Sequence, residues 1–190
     1  MSNSIRSCAI LLVALAALVL LNSAPGMAAS KAEIDRDAKA ALQTLYENNA
    51  MAKTLAGKAK AVLVFPSIIK GGFLVGGQYG DGALVRNGMV VGYYNTVAAS
   101  YGLQAGGQKF GYAMFFMTDK ALVYLDSSDG WEVGVGPSVV VVDKETAAAF
   151  GKSMTTSSLQ DDIYAFIFSQ KGLMAGLGLQ GSKITRINPK

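Results

Sequence analysis

The stretch GGFLVGGQYGDGALVRNGMVVGYYN, residues 71–95, decides the fold class. Its apolar residues sit among glycines and polar residues with strand character, and Asn87-Gly88 is the dipeptide that a type I′ hairpin turn favours. Two strands therefore meet around Arg86-Asn87-Gly88. Working outward, AVLVF (61–65) reads as a buried strand stopped by Pro66, and ASYGLQAGGQKFGYAMFFMT (99–118) continues as strand. The glycines at 71, 72, 76, 77, 80, 82, 102, 106 and 107 fall where strands must coil or bulge sharply.

Further downstream, Thr118-Asp119 caps a short helix in KALVYLDSS, and WEVGVGPSVVVVD predicts a strand from Trp131 to Val142. KETAAAFGKSM (144–154) reads as a helical or irregular excursion. DIYAFIFSQKGLMAGLGLQGSKITRI (162–187) predicts two antiparallel strands that turn at Ser169 to Gly172.

Upstream the period changes to that of a helix. In SKAEIDRDAKAALQTLYENNAMAKTLAGKAK (30–60), Ser30 and Glu33 form a capping box, with Asp35 and Asp37 in the first two turns. Ile34, Ala38, Ala41, Leu42 and Leu45 make one apolar stripe. Asn48 and Asn49 break this helix, and a second runs from about Ala50 to Ala56, ending at Gly57. Strand–helix–strand alternation is lacking, so a parallel α/β sheet is disfavoured. The expected class is α+β, with N-terminal helices packed on a glycine-rich, strongly coiled antiparallel β-sheet, barrel- or sandwich-like.

The first residues stand apart. Arg6 precedes the uncharged run CAILLVALAALVLL (8–21), and Gly26-Met27-Ala28 places small residues at −3 and −1 of a cut after Ala28. Fourteen apolar residues are short for a bilayer span and suit a secretory signal, with a retained membrane anchor as the alternative. The expected organisation is a signal peptide over 1–29 and a single domain over 30–190, exported to the periplasm or cell envelope. Cys8, the one cysteine, lies at the front of the apolar run, which does not suit a lipoprotein signal. Its removal excludes disulfide and thiolate chemistry from the mature chain.

The chain contains no histidine, which removes Ser-His-Asp and Cys-His catalysis and His-based metal sites. Loss of Arg6 leaves sixteen basic against thirteen acidic side chains, a mildly basic balance that is no nucleic-acid footprint. GLGLQG (176–181) has the spacing of a dinucleotide-binding turn, but only nine residues follow it, too few for the helix, strand and acid that such a site needs. Ser67-Ile68-Ile69-Lys70 matches S-x-x-K without the SDN or KTG partners of serine acylases. DSSDG (126–130) fails the EF-hand pattern and reads as a turn before Trp131. No enzymatic activity, cofactor, nucleotide or metal is expected.

The basic residues carry the functional reading. Lys58 and Lys60 precede the first strand, and Lys70 follows its end. Lys171 lies in the last hairpin turn, with Lys183 and Arg186 on the final strand. Three residues apart, Lys183 and Arg186 point to opposite faces of a regular strand. These six are the candidate lipid-phosphate contacts. The aromatics Tyr93, Tyr94, Phe110, Phe115 and Phe116 leave open a second reading, in which a coiled sheet encloses an apolar ligand. A third reading is an envelope structural or interaction protein whose glycine-rich edges pair with a partner.

Four blocks in order, KAKAVLVFPSIIKGGFLVGGQYGDGALV (58–85), SYGLQAGGQKFGYAMFFMTDKAL (100–122), GWEVGVGPSVVV (130–141) and YAFIFSQKGLMAGLGLQGSKI (164–184), resemble the SYLF domain family. The resemblance spans about Ala32 to Ile187. It implies phospholipid binding through basic residues and an N-terminal amphipathic helix, with actin binding in some fungal members, and it implies no enzymatic activity. It also implies that GLGLQG lies on the outgoing strand of a last hairpin. Family members often carry an acid where this chain has Val135-Gly136-Pro137, so a role tied to that acid does not transfer. For an exported bacterial protein, anionic glycerophospholipids replace phosphoinositides as the expected partners at the membrane surface.

Overall fold

The structure, a computed structural model, describes residues 29–126, 129–142, 161–172 and 181–190. The proposed leader, the 144–154 excursion and most of GLGLQG lie outside the described residues, as does part of the DSSDG turn.

Helix α1 (Lys31–Asn48) starts at the expected capping box. The Glu33 amide donates to Ser30 Oγ at 3.3 Å, and the Ser30 amide donates to Glu33 Oε2 at 2.8 Å. Asn49 ends α1 in an extended conformation and caps α2 (Ala50–Ala56), accepting from the Ala52 amide at 3.0 Å. Ile34, Ala38, Leu42 and Leu45 are buried, so the apolar stripe faces the sheet.

The sheet is dominated by one hairpin of β1 (Ala61–Arg86) and β2 (Met89–Phe116). Asn87 and Gly88 close it with φ of 52° and 77°, the left-handed pair that a type I′ turn requires. A straight strand of 26 residues spans about 85 Å, roughly twice the width of a domain this size. The hairpin must therefore fold back on itself. Register shifts at Phe65/Ile68 and Phe73/Val75 bend it, and the second arm of β1 crosses the first. At that crossing a Cβ on Gly80 would lie 2.9 Å from Ser67 O and Ile68 Cγ1, and one on Gly82 would lie 2.6 Å from Phe65 Cδ1. Only glycine permits backbones to approach so closely.

Two cores lie on the two faces of the bent sheet. Phe110, Tyr112, Met114 and Phe116 of β2 enter one core, with Trp131, Ile184 and the short helix α3 (Asp119–Val123), whereas Ala113 and Phe115 enter the other, beneath α1 and α2. Phe115 meets Phe166 edge-on at 5.2 Å, and Phe116 meets Trp131 at 6.1 Å, each contact adding about 1 kcal/mol beyond its buried area. Burial on both faces explains why AVLVF and FGYAMFF read as continuous apolar runs.

The remaining strands are β3 (Trp131–Glu132), β4 (Val139–Val142), β5 (Ile163–Gly172) and β6 (Lys183–Ile187). β5 pairs with the C-terminal part of β2, and β6 pairs with Tyr93–Val97 near its start. β3 extends β6, and β4 lies parallel to β5, the one parallel pairing among the described strands.

Four expectations change in detail. Pro66 does not end its strand, because the register shift beside it spares the missing N–H a ladder position. Trp131–Val142 is two strands, parted by a turn in which Gly134 and Gly136 adopt φ of 106° and 93°. Ser169–Gly172 is strand and not turn: the chain bulges at Ser169 (φ 52°) and β5 continues to Gly172. β5 and β6 are also no hairpin with each other. β2 is long enough to seat them at two places along one edge. Fold class and layering otherwise follow the sequence reading: helices first, then a strongly coiled, glycine-rich sheet.

Candidate functional site

Along α1, residues 31, 35, 39, 42, 43 and 46 follow spacings of three and four, so they line one flank of the helix. That flank forms one wall of a groove of about 1160 Å³. α2 and the link into β1 supply the end wall, and the hairpin end from Val85 to Tyr93 supplies the other side. Leu42, Tyr46, Val62, Val85 and Val90 form an apolar floor. At the hairpin end, Met89 is 67% exposed and Val91 46% exposed, apolar side chains held open to solvent.

Lys31, Lys39, Lys53 and Lys60 stand at the rim, against Asp35 and Glu47. Both acids are engaged: the Tyr93 hydroxyl donates to Asp35 Oδ1 at 2.8 Å, and Gln43 Nε2 donates to Glu47 Oε1 at 2.9 Å. The Lys31 ammonium lies 5.6 Å above the Tyr93 ring. Burial, then the Asp35 carboxylate, pushes the Tyr93 hydroxyl up to about 12, and burial raises Tyr46 as well, so both stay neutral donors near neutral pH. Lys60 reaches Asp119 at 3.6 Å, an exposed pair of small energetic weight. An apolar trough edged by ammonium groups suits an amphiphile with an anionic head.

The six lysine and arginine candidates do not gather into one patch. Lys58 and Lys60 are exposed in the link between α2 and β1, and Lys60 alone of the six reaches the groove. Lys70 is half-buried on β1, opposite Gln108. Lys171 is exposed on β5, directly opposite Lys109. Lys183 faces outward beside Val97 and Glu132. Arg186 sits opposite Tyr94 on the other face, as the spacing predicts, and its Nη1 donates to Asp126 Oδ1 at 3.0 Å.

Tyr94, Phe110, Phe115 and Phe116 are at most 1% exposed and are packed in the two cores; of the five aromatics, Tyr93 alone meets the groove. The sequence reading missed Lys31, Lys39 and Lys53. For Lys31 and Lys39 the signal was present as an i, i+4 row with Asp35 beside the apolar stripe of α1, whereas Lys53 lies on α2, and the hairpin wall facing all three comes from residues 85–93.

The architecture is that of a binding domain: a bent sheet and two helices framing an amphipathic groove. Residues 97–188 match the family model described as Ysc84: Las17-binding protein actin regulator, the SYLF domain family, and the chain belongs to that family. SYLF domains are binding domains. The match covers most of β2 and the chain after it as far as residue 188, whereas the groove walls lie before it. No curated protein matches the chain.

Proposed function

We propose that the protein is exported and binds anionic phospholipid at the bacterial cell envelope, without catalysing a reaction. The groove carries this reading, because its apolar floor and exposed Met89 and Val91 accept acyl chain while Lys31, Lys39, Lys53 and Lys60 hold the phosphate. A basic group near an anionic lipid surface contributes about 1 kcal/mol, and salt screens it over about 8–10 Å. Binding is therefore electrostatic in onset and hydrophobic in depth.

The test is titration with dihexanoyl phosphatidylglycerol below its micellar concentration, at low and high salt. Wild type binds with salt-sensitive affinity, Lys39→Glu with Lys53→Glu weakens it at least about thirtyfold, and Met89→Asp weakens it at any salt. Equal binding by all three proteins refutes the groove as the site. Export is tested by N-terminal sequencing of protein from the periplasmic fraction, where the expected first residue is Ala29.

A further inference from the structure

Sulfur is the softest nucleophile a protein offers to a peroxide, and how fast it reacts follows its exposure. The one cysteine, Cys8, lies outside the described residues, so among these the sulfur belongs to methionine alone. Met51 and Met114 are buried, and Met117 is partly buried against the second core. Trp131, the next side chain an oxidant would take, is buried as well. Met89 differs from all of these: it is 67% exposed and belongs to neither core.

Topology sets that exposure. Met89 follows the Asn87-Gly88 turn and pairs with Arg86 as the last rung of the β1–β2 ladder. β6 pairs with β2 only from Tyr93 to Val97, and β5 only from Gln108 onward. Among the described strands, the rungs from Met89 to Gly92 therefore have no neighbour but β1. The hairpin end projects past the sheet and carries Met89 to the edge of the groove, which it lines beside Val85, Val90 and Val91. An unbranched thioether at that edge adapts its shape to whatever apolar chain lies against it.

We infer that Met89 is a modification site, oxidised by peroxide to the sulfoxide, and that this oxidation regulates the groove. A lone pair on the Met89 sulfur attacks one oxygen of hydrogen peroxide, and the S–O bond forms as the O–O bond breaks. Sulfur gives up two electrons and the peroxide gains them. The departing hydroxide takes the proton of the transferred hydroxyl and leaves as water. An apolar contact at the groove edge becomes a dipolar group that accepts hydrogen bonds. Arg86, exposed and directly opposite, offers a donor to the new oxygen. An acyl chain then meets a solvated sulfoxide where it met a thioether. Because Met89 lies outside both cores, the fold survives the change, and a methionine sulfoxide reductase reverses it. Regulation rests on the lipid reading of the groove, whereas oxidation at Met89 does not, so the two are measured separately.

The full chain is treated with dilute hydrogen peroxide, quenched, and divided between peptide mapping by mass spectrometry and titration with monomeric dihexanoyl phosphatidylglycerol. The map is expected to show one added oxygen on Met89 while Met51 and Met114 stay unmodified. Binding by the wild type is expected to weaken about tenfold, with an unchanged circular dichroism spectrum, and to recover after methionine sulfoxide reductase with dithiothreitol. Met89→Leu, which keeps every other methionine, sets its own reference: peroxide leaves its affinity where it was before treatment. Oxidation of Met51 or Met114 as fast as Met89 overturns Met89 as the selected site. Unchanged wild-type affinity once Met89 carries the oxygen overturns the regulation, and an equal loss in Met89→Leu assigns that loss to another residue and overturns it too. If the untreated wild type does not bind the lipid, the groove reading falls and the regulation with it, while the map still decides whether Met89 is the oxidised methionine.

Discussion

Gly82→Ala tests the feature on which the rest of the molecule hangs, the crossing of the two arms of β1. A methyl group at Gly82 would sit 2.6 Å from Cδ1 and 3.0 Å from Cε1 of Phe65, and against the Val64 carbonyl. Ordinary van der Waals contact needs about 3.5 Å, so the arms must part by close to an ångström. Neither arm is free to move. Phe65 is fully buried in the first core, and Val64 and Ala83 are fully buried in the second.

Overpacking a core costs about 1–3 kcal/mol, and a clash with backbone belongs at the upper end, at about 3 kcal/mol. For a domain of this length that lowers Tm by roughly 6–12 °C. Gly107→Ala is the control: its Cβ has open space, and it is expected to stay within about 0.5 kcal/mol of wild type. Urea unfolding followed by circular dichroism, with thermal scans beside it, measures both. If Gly82→Ala is as stable as Gly107→Ala, the arms do not cross as described, and the reasoning from strand length to fold-back fails.

Two further outcomes follow from local contacts. Ser30→Ala removes the capping box of α1 and is expected to cost about 1 kcal/mol in the same urea assay, with Ser30→Asp close to wild type. Burial raises the Tyr112 hydroxyl well above the usual tyrosine range, and burial together with Asp126 pushes Tyr94 up to about 12. Unfolded tyrosine ionises near pH 10, so below about 10 both states keep the proton and this contribution to stability is whole. As pH rises from about 10 to 12 the unfolded chain gives up protons that the folded chain retains, and stability falls. Urea midpoints across that range, read beside tyrosinate absorbance, check the sign; Tyr112→Phe is expected to flatten the decline, and a midpoint that rises contradicts it.

The helices and the hairpin turn were legible because their determinants are close in sequence. Ser30 meets Glu33 three residues on, Asn49 both ends one helix and caps the next, and Asn87-Gly88 accepts the positive φ that a type I′ turn needs at both central positions. Strand alternation was legible for the same reason, since neighbours point to opposite faces whatever the sheet does. The errors fell where a strand's partner lies far away. Ser169–Gly172 has turn-like residues, yet pairing with Gln108–Gly111 of β2 keeps it extended. Pro66 reads as a terminator, yet a register shift across from Tyr112 accommodates it.

The site divides along the same line. By itself the sequence determined that the chain folds as helices on a glycine-rich coiled sheet, that it lacks histidine and with it His-based catalysis, and that its cations are dispersed along it. Only the tertiary structure decided which cations stand together. Lys60 joins Lys31, Lys39 and Lys53 because α1 and the hairpin end enclose a common groove, and Lys171 meets Lys109 because a bulge sets the register of β5 on β2. Charge in a sequence is additive and visible. Its arrangement depends on where a long hairpin bends, and that is settled by contacts between residues far apart in the chain.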